Sequence, residues 1–377
     1  MSRNTSDFVL ISKNIKTKII NQPILDCNSI KDQYKDINNM KDFLKDFHEF
    51  NENFDLINYV NSGSCGVVYE GKLRKSKNGQ SVGLKFLISK KDKKKEKNDK
   101  NKLKEIYFQQ KLHHKNITSL YGFYNLKENS CIAMDYAKYG DLDHFQKKII
   151  PNKNISETVL AFFALQILEG LQYCHQNKVI HMDIKQQNIL IYDNLTIKIT
   201  DFSISQSYEN LQSGDKFRLP LMGTSLYMSP EVLCLMEIDV DELNKTDMFS
   251  LGVVLYNLAF KSFPYEWDLS DRKNFIQILQ KLIKNELSVP NDTNYSNLFK
   301  NFVKGLLSKD IKCRLSISEA LDDPWIRAAR LIFKEKEKTY DLEKFLINMF
   351  TIITSNPLMI ISKIIGPSIQ QLIKLCK

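Results

Sequence analysis

A small set of charged and amide side chains in this 377-residue chain stands in an order suited to handling a polyphosphate. Lys85 closes the run Val-Gly-Leu-Lys, and Glu105 follows twenty residues later. A lone Lys on a core strand is costly unless paired, so Glu105 is the expected partner. Further on, the stretch His-Met-Asp-Ile-Lys-Gln-Gln-Asn carries His181, Asp183, Lys185 and Asn188, and Asp201 comes eighteen residues after Asp183. Two carboxylates and an amide near one loop suit Mg²⁺ and a polyphosphate, because hard oxygens hold the metal and a free Asp can receive a hydroxyl proton. Ahead of them all, Asn61-Ser62-Gly63-Ser64-Cys65-Gly66-Val67-Val68 reads as strand, turn and strand. Its glycines let backbone N–H groups approach phosphate oxygens without side-chain interference. Hairpin glycines, turn Asp and capping Asn are each common without any ligand. It is their joint order and spacing that points to phosphate chemistry.

The elements that must position these residues fall into two groups. From Phe54 the sequence alternates in short β-type runs: NFDLINYV, GVVYEGKL and SVGLKFLI, joined by NSGSC and by RKSKNGQ with its Asn78-Gly79 turn. A helical stretch around Leu103 to Leu112 follows, then the strand-like runs SLYGFYNL and SCIAMDYA. From Asp141 helices dominate, notably SETVLAFFALQILEGLQYCHQ, which opens on a Ser156-Glu157 cap region. A strand-rich first lobe and a helix-rich second lobe predict an α+β protein, with a small-molecule site in the cleft between them.

Three zones are expected along the chain. Residues 1–53 form a polar extension with one short amphipathic stripe (Met40, Phe43, Leu44, Phe47), and 54–326 form the domain, its lobes meeting near 137/138. Residues 327–377 carry two further stripes, Leu342 to Ile353 and Ile361 to Leu372, split at Asn356-Pro357. Phe345 to Ser362 is uncharged, but Asn348, Thr351, Thr354 and Asn356-Pro357 make it too polar and too broken for a membrane span. These helices are instead expected to dock on the domain or to meet a regulatory partner.

Composition narrows the function classes. With 43% hydrophobic residues the chain can bury a real core. The net charge of +10 owes much to runs such as Lys90 to Lys97, which read as a solvated loop, so no specific nucleic acid is expected. Seven cysteines without a CxxC pair indicate free thiols in a reducing interior. The first residues lack the apolar core of about 7–15 residues that a secretory signal needs, so a cytoplasmic or nuclear location is expected.

Taken together, the glycine-bearing loop, VGLK, Glu105, HMDIKQQN, DFS, GTSLYMSPE (Gly223 to Glu231), KTDMFSLGVVLY with Asp247 and Gly252, and Arg314 before the closing DDPWI resemble the protein kinase family, serine/threonine branch. The resemblance runs from about Phe54 to about Ile326. It implies the two-lobed kinase fold, ATP and Mg²⁺, and protein substrates phosphorylated on Ser or Thr. By it, Lys85 paired to Glu105 holds the α- and β-phosphates, Asp183 takes the substrate proton, and Lys185 steadies the transferred group. Asn188 and Asp201 bind the metal. Asn61, Gly63 and Gly66 cover the phosphates; Val68, Gly83 and Leu190 enclose the adenine. Met134 is the gatekeeper, the backbone from Asp135 to Ala137 meets the adenine edge, and Asp141 completes the nucleotide set. Glu231 and Arg314 form a buried structural ion pair.

The chain departs from the family pattern at several positions. Asn61 stands where the first loop glycine is usual. Gly83 replaces Ala and is expected to widen the adenine slot slightly. Ser203 replaces the glycine after Asp201-Phe202, adding a Cβ where the backbone must flex. Met182 replaces the Arg before Asp183, and Gln109 takes a place usually apolar. None removes a residue assigned to phosphate or metal. A pseudokinase acting as a scaffold is the alternative, and a small-molecule phosphotransferase a third reading that the GTSLYMSPE segment disfavours.

Overall fold

A computed structural model describes residues 47–62, 66–76, 79–87, 104–126, 129–151, 154–192, 196–266, 275–290 and 295–336. The chain divides into two compact units, the first ending at Lys138 and the second taking Lys115–Ile117 together with Tyr139 onward. One unit is built on a sheet and the other on helices, the two-lobed α+β class that the sequence predicts.

In the first unit a short helix α1 (His48–Asn53) leads into β1 (Phe54–Ser62), β2 (Gly66–Leu73) and β3 (Ser81–Leu87). Helix α2 spans 104–111, and β4 (Leu120–Leu126) and β5 (Asn129–Asp135) close an antiparallel sheet of order β1-β2-β3-β5-β4. At the expected turn before β3, Gly79 sits at φ 57° and its N–H donates to Ser76 O, a conformation that costs glycine no Cβ clash. One face of the sheet is sealed by aromatics. Phe50 of α1 meets Phe54, Phe86 and Tyr124 at centroid separations of 5.2, 5.7 and 5.6 Å. Burying each such ring is worth about 1.5–3 kcal/mol, which fixes the register of the strands that carry Lys85. Phe47 packs on this cluster, whereas Met40, Phe43 and Leu44 of the predicted stripe lie outside the described residues.

The second unit is organised by two buried helices. α4 (Glu157–Gln176) starts at Ser156, whose side chain accepts from Val159 N–H, as the cap region predicts. The intervening α3 is the short turn Leu142–His144, with Asp141 capping it. The hairpin β7 (Ile189–Ile191) and β8 (Ile197–Ile199) and the small pair β6 (Val179–Ile180) and β9 (Gln206–Ser207) flank the loop at 181–188. β10 (Lys216–Phe217) pairs with β11 (Ile238–Asp239), on either side of α5 (Pro230–Leu233). α6 (Lys245–Phe260) is buried along nearly its whole length, and α7 (Phe275–Lys284), α8 (Asn297–Leu306), α9 (Ile317–Asp322) and α10 (Pro324–Lys336) complete the unit. α10 runs unbroken across the boundary drawn at 326/327. The two C-terminal stripes and the Lys90 to Lys97 run lie outside the described residues. Among the described residues no helix is long and apolar enough to cross a membrane.

Candidate active site

In the first unit, Lys85 lies on β3 between Val68 of β2 and Ile132 of β5. Its ammonium approaches Glu105 Oε1 of α2 at 2.6 Å, with side chains only 14% and 3% exposed. A charge pair this buried needs close geometry to offset desolvation, and it has it. Asn61, Gly66, Val68, Gly83, Met134 and Asp135, assigned to the nucleotide, lie on the same sheet. Asn61 is exposed at the end of β1, where its Oδ1 accepts from Ser62 N–H at 2.7 Å. Gly66 sits so close to β3 that a Cβ there would stand 1.9 Å from Phe86 O. Met134 and Asp135 end β5, and Ala137 follows it, half-buried. Gly63 and Cys65 lie outside the described residues.

Gly83 lies against the end of β5. A Cβ at that position would lie 3.0 Å from Asp135 O, a tight contact, so the Asp135 carbonyl bounds the room that the missing methyl leaves. Asp135 is itself held: its N–H donates to Ser119 O, and its carboxylate accepts from Ser119 N–H and from the Tyr121 hydroxyl. Gln109 on α2 is fully buried, and neither its amide oxygen nor its amide nitrogen has a hydrogen-bond partner among the described residues.

In the second unit, the loop from His181 to Asn188 closes a ring of bonds on Asp183. Its Oδ2 accepts from Lys185 Nζ at 2.6 Å and from Asn188 Nδ2 at 2.9 Å. Its Oδ1 accepts from Thr224 N–H at 3.1 Å and Thr224 Oγ1 at 3.0 Å, and Lys185 Nζ also reaches Thr224 Oγ1 at 2.9 Å. Gly223 makes this approach possible. It holds φ 112°, and a Cβ on it would stand 2.9 Å from Met182 O. Asn188 gives its other amide hydrogen to Asp183 O at 2.8 Å, so the oxygen of its side chain is what remains for a cation. Asp201 follows β8 with φ 68°, ahead of the fully buried Phe202, whose ring meets that of His181 at 4.8 Å. Leu190 on β7 bridges to Asp141. Burial pushes the Asp141 carboxyl up, partly opposed by the His144 N–H that it accepts.

What fixes the loop is a residue to which the sequence reading gave no role. Asp247 on α6 accepts from His181 N–H and Met182 N–H at 2.9 Å each, and stands 2.9 Å from His175 Nε2. Burial pushes its carboxyl up, but the His175 hydrogen bond and the nearby imidazoles outweigh this and hold it below the usual carboxylate range. The grip keeps Met182 at φ 68°, a left-handed conformation rare for a side chain of its size. His181 in turn accepts from Asp183 N–H at Nδ1 and faces Thr200 O with Nε2, an arrangement that needs the Nε2–H tautomer. An Asp in the first turn of α6, just ahead of the apolar run Leu251 to Leu255, is the signal that could have marked Asp247.

Ser203 does not take a left-handed φ, unlike Met182 and Asp201, so its Cβ meets no backbone penalty in this conformation. Glu231 and Arg314 form the expected buried pair, with two bonds of 2.6 and 2.9 Å.

A sheet unit with a buried Lys–Glu pair and a helical unit with an Asp–Lys–Asn–Thr ring define a phosphotransferase-type domain. Residues 54–326 match the model of the protein kinase domain, and the chain belongs to that family. It is 30% identical over 280 residues to human "NUAK family SNF1-like kinase 1", covering 74% of this chain and 39% of that protein. It is 29% identical over 276 residues to Arabidopsis thaliana "Serine/threonine-protein kinase TIO", covering 73% of this chain and 19% of the relative. With "CBL-interacting protein kinase 28" of Oryza sativa subsp. japonica the identity is 31% over 276 residues, 73% of this chain and 59% of the relative. The match thus spans less than two thirds of each of these three relatives.

Proposed function

We propose that the chain is an ATP-dependent protein kinase that moves the γ-phosphoryl group onto Ser or Thr hydroxyls of protein substrates. The observation that carries this reading is the ring on Asp183, closed by Lys185, Asn188 and Thr224. Such a carboxylate is oriented by donors on both oxygens, which leaves it fixed as a proton acceptor beside an ammonium. In the transfer, the acceptor O–H breaks and its proton goes to Asp183, a bond forms from that oxygen to the γ-phosphorus, and ADP leaves. Lys185 steadies the transferred group, and Lys85, held by Glu105, carries the phosphates of the substrate nucleotide. Mg²⁺ supplies charge neutralisation on the polyphosphate. Asn188 and Asp201 would hold it, and the fixed amide of Asn188 fits this task. Among the described residues no three His, Cys, Asp or Glu side chains gather as a metal cage, which suits an ion completed by phosphate and water.

Thr224 and Lys185 close around Asp183 as a compact setting for a short acceptor side chain, which favours Ser and Thr over Tyr. Gln187 and Asn257 offer amides and not carboxylates, so no strong preference for Arg near the acceptor is expected. The apolar stripes of Leu342 to Ile353 and Ile361 to Leu372 are the proposed contact for a regulatory partner.

Purified protein incubated with labelled ATP, Mg²⁺ and a degenerate peptide library tests the reading, with Asp201→Asn as control. Mg²⁺-dependent phosphoserine and phosphothreonine, lost in the control, is the expected outcome. Mainly phosphotyrosine would overturn the acceptor assignment. Nucleotide binding without transfer by the parent would replace this reading with the pseudokinase one.

A further inference from the structure

Tyr121 interrupts the ladder that carries it. Where β4 pairs with β5, Leu120 faces Met134 and Gly122 faces Ala133, which leaves Tyr121 as the extra residue of a bulge. A bulge takes a side chain out of the alternation of its strand and aims it elsewhere. Here the Tyr121 hydroxyl donates to Asp135 Oδ1 and accepts from Gln80 Nε2 at 3.1 Å. Ser119 holds the same aspartate from its own side. Its N–H donates to Asp135 Oδ2 and its O accepts from Asp135 N–H, at 3.1 Å each. Carboxylate and main chain of Asp135 are thus fastened together at the end of β5.

The fastening fixes where Asp135 O lies. Gly83 faces Met134 across the β3–β5 ladder, and a Cβ on it would stand 3.0 Å from that oxygen. A contact this close is cheap only where the neighbour can give by a few tenths of an ångström. Asp135, tied through its amide and both carboxylate oxygens, is poorly placed to give. The hydroxyl on Tyr121 and the missing methyl on Gly83 therefore serve one and the same carbonyl position.

We propose that Tyr121 is a positioning residue that sets Asp135 O for the exocyclic amine of adenine, and that Gly83 is glycine because that carbonyl is held. The proposal rests on the kinase reading above, which puts the main chain from Asp135 to Ala137 at the adenine edge. A carbonyl oxygen only accepts, so the group it can select on the base is a donor, the amine. Tyr121 acts through Asp135 and not on the nucleotide itself. Gln80, which donates to the Tyr121 oxygen, leaves the hydroxyl proton to point at the carboxylate.

The test titrates the full chain with ATP and with purine riboside triphosphate, which lacks the exocyclic amine. Tyr121→Phe keeps the ring and loses the hydroxyl. Its Kd for ATP is expected to rise about fivefold, and its Kd for purine riboside triphosphate by less than about twofold. In steady-state transfer the loss appears in the KM for ATP, with kcat unchanged. Gln80→Ala, at an exposed position, shifts the ATP Kd the same way by about twofold. Gly83→Ala raises the ATP Kd about tenfold alone and about threefold in the Tyr121→Phe background, because the released carbonyl can give way. A direct clash of the new methyl with the base is common to both backgrounds and cancels in that cycle. Equal losses for the two nucleotides in Tyr121→Phe, or a Gly83→Ala effect that ignores Tyr121, overturns the proposal. ATP binding without transfer by the parent refutes the kinase reading instead, and the Kd ratios still decide the role of Tyr121. A parent that binds neither nucleotide refutes both.

Discussion

The helical unit and the sheet unit each bury an ion pair, and they treat it differently. Arg314 is 1% exposed and places its guanidinium 5.0 Å over the Phe249 ring. Its five N–H donors reach Glu231 twice and the carbonyls of Ser308, Lys245 and Lys309. Lys85 keeps 14% of its side chain exposed and reaches Glu105 Oε1 at 2.6 Å through a flexible stem. A planar fork saturated on all sides serves architecture. A point charge at the end of a mobile chain, still open to water, serves a ligand. Burial and pairing alone therefore do not separate scaffold from chemistry; the remaining access does.

The comparison breaks most readily at Glu231. Glu231→Ala leaves a buried guanidinium uncompensated and should cost about 3–5 kcal/mol, visible as a large drop in Tm or loss of soluble protein. Lys85→Met should act the other way round. It should slow phosphotransfer on the order of a hundredfold, with a Tm loss smaller than that of Glu231→Ala. If both variants unfold equally, the distinction between the two pairs is wrong.

Acid should loosen the grip that Asp247 has on the loop. Its folded pKa lies below the ordinary aspartate value of 3.8, so its contribution is full above that value and is lost as pH falls through the lower, folded pKa. Thermal melts from pH 6 down to about pH 3 should show this loss in the parent and less of it in Asp247→Asn, after allowing for that variant's lower starting stability. A parallel decline in both would remove the special role of Asp247. The smallest effect is a gain. Gln109→Leu removes two buried amide atoms that lack partners, and should stabilise the protein by about 1–2 kcal/mol, read as a modest rise in Tm.

Local signals made much of this legible. Alternating apolar runs and the turn at Gly79 placed the strands, Ser156 opened α4, and the spacing of Lys85 and Glu105 anticipated their contact. The ring on Asp183 was legible only in part. Lys185 and Asn188 are sequence neighbours, but Thr224 arrives from 41 positions away through a glycine whose conformation no local pattern reveals. Asp247 lies 66 positions from His181, and its carboxylate is defined by what it holds, not by its neighbours along α6. The pairing of β10 with β11 was invisible for a different reason: two-residue strands carry no periodicity to read. The consequence of a Cβ at 83 or 203 was not legible, because it depends on φ and on the atom across from it.

Asp247 grips the main chain of the loop and leaves its side chains alone. Both of its oxygens take backbone N–H groups, at His181 and at Met182. Every amino acid except proline presents that same hydrogen, so the anchor cannot tell which one occupies position 182. A lineage can therefore exchange a charged residue there for Met, abandoning whatever signal the charge once read, without dislodging Asp183 next door. The fastening that makes the loop rigid in space is what leaves it free to drift in sequence.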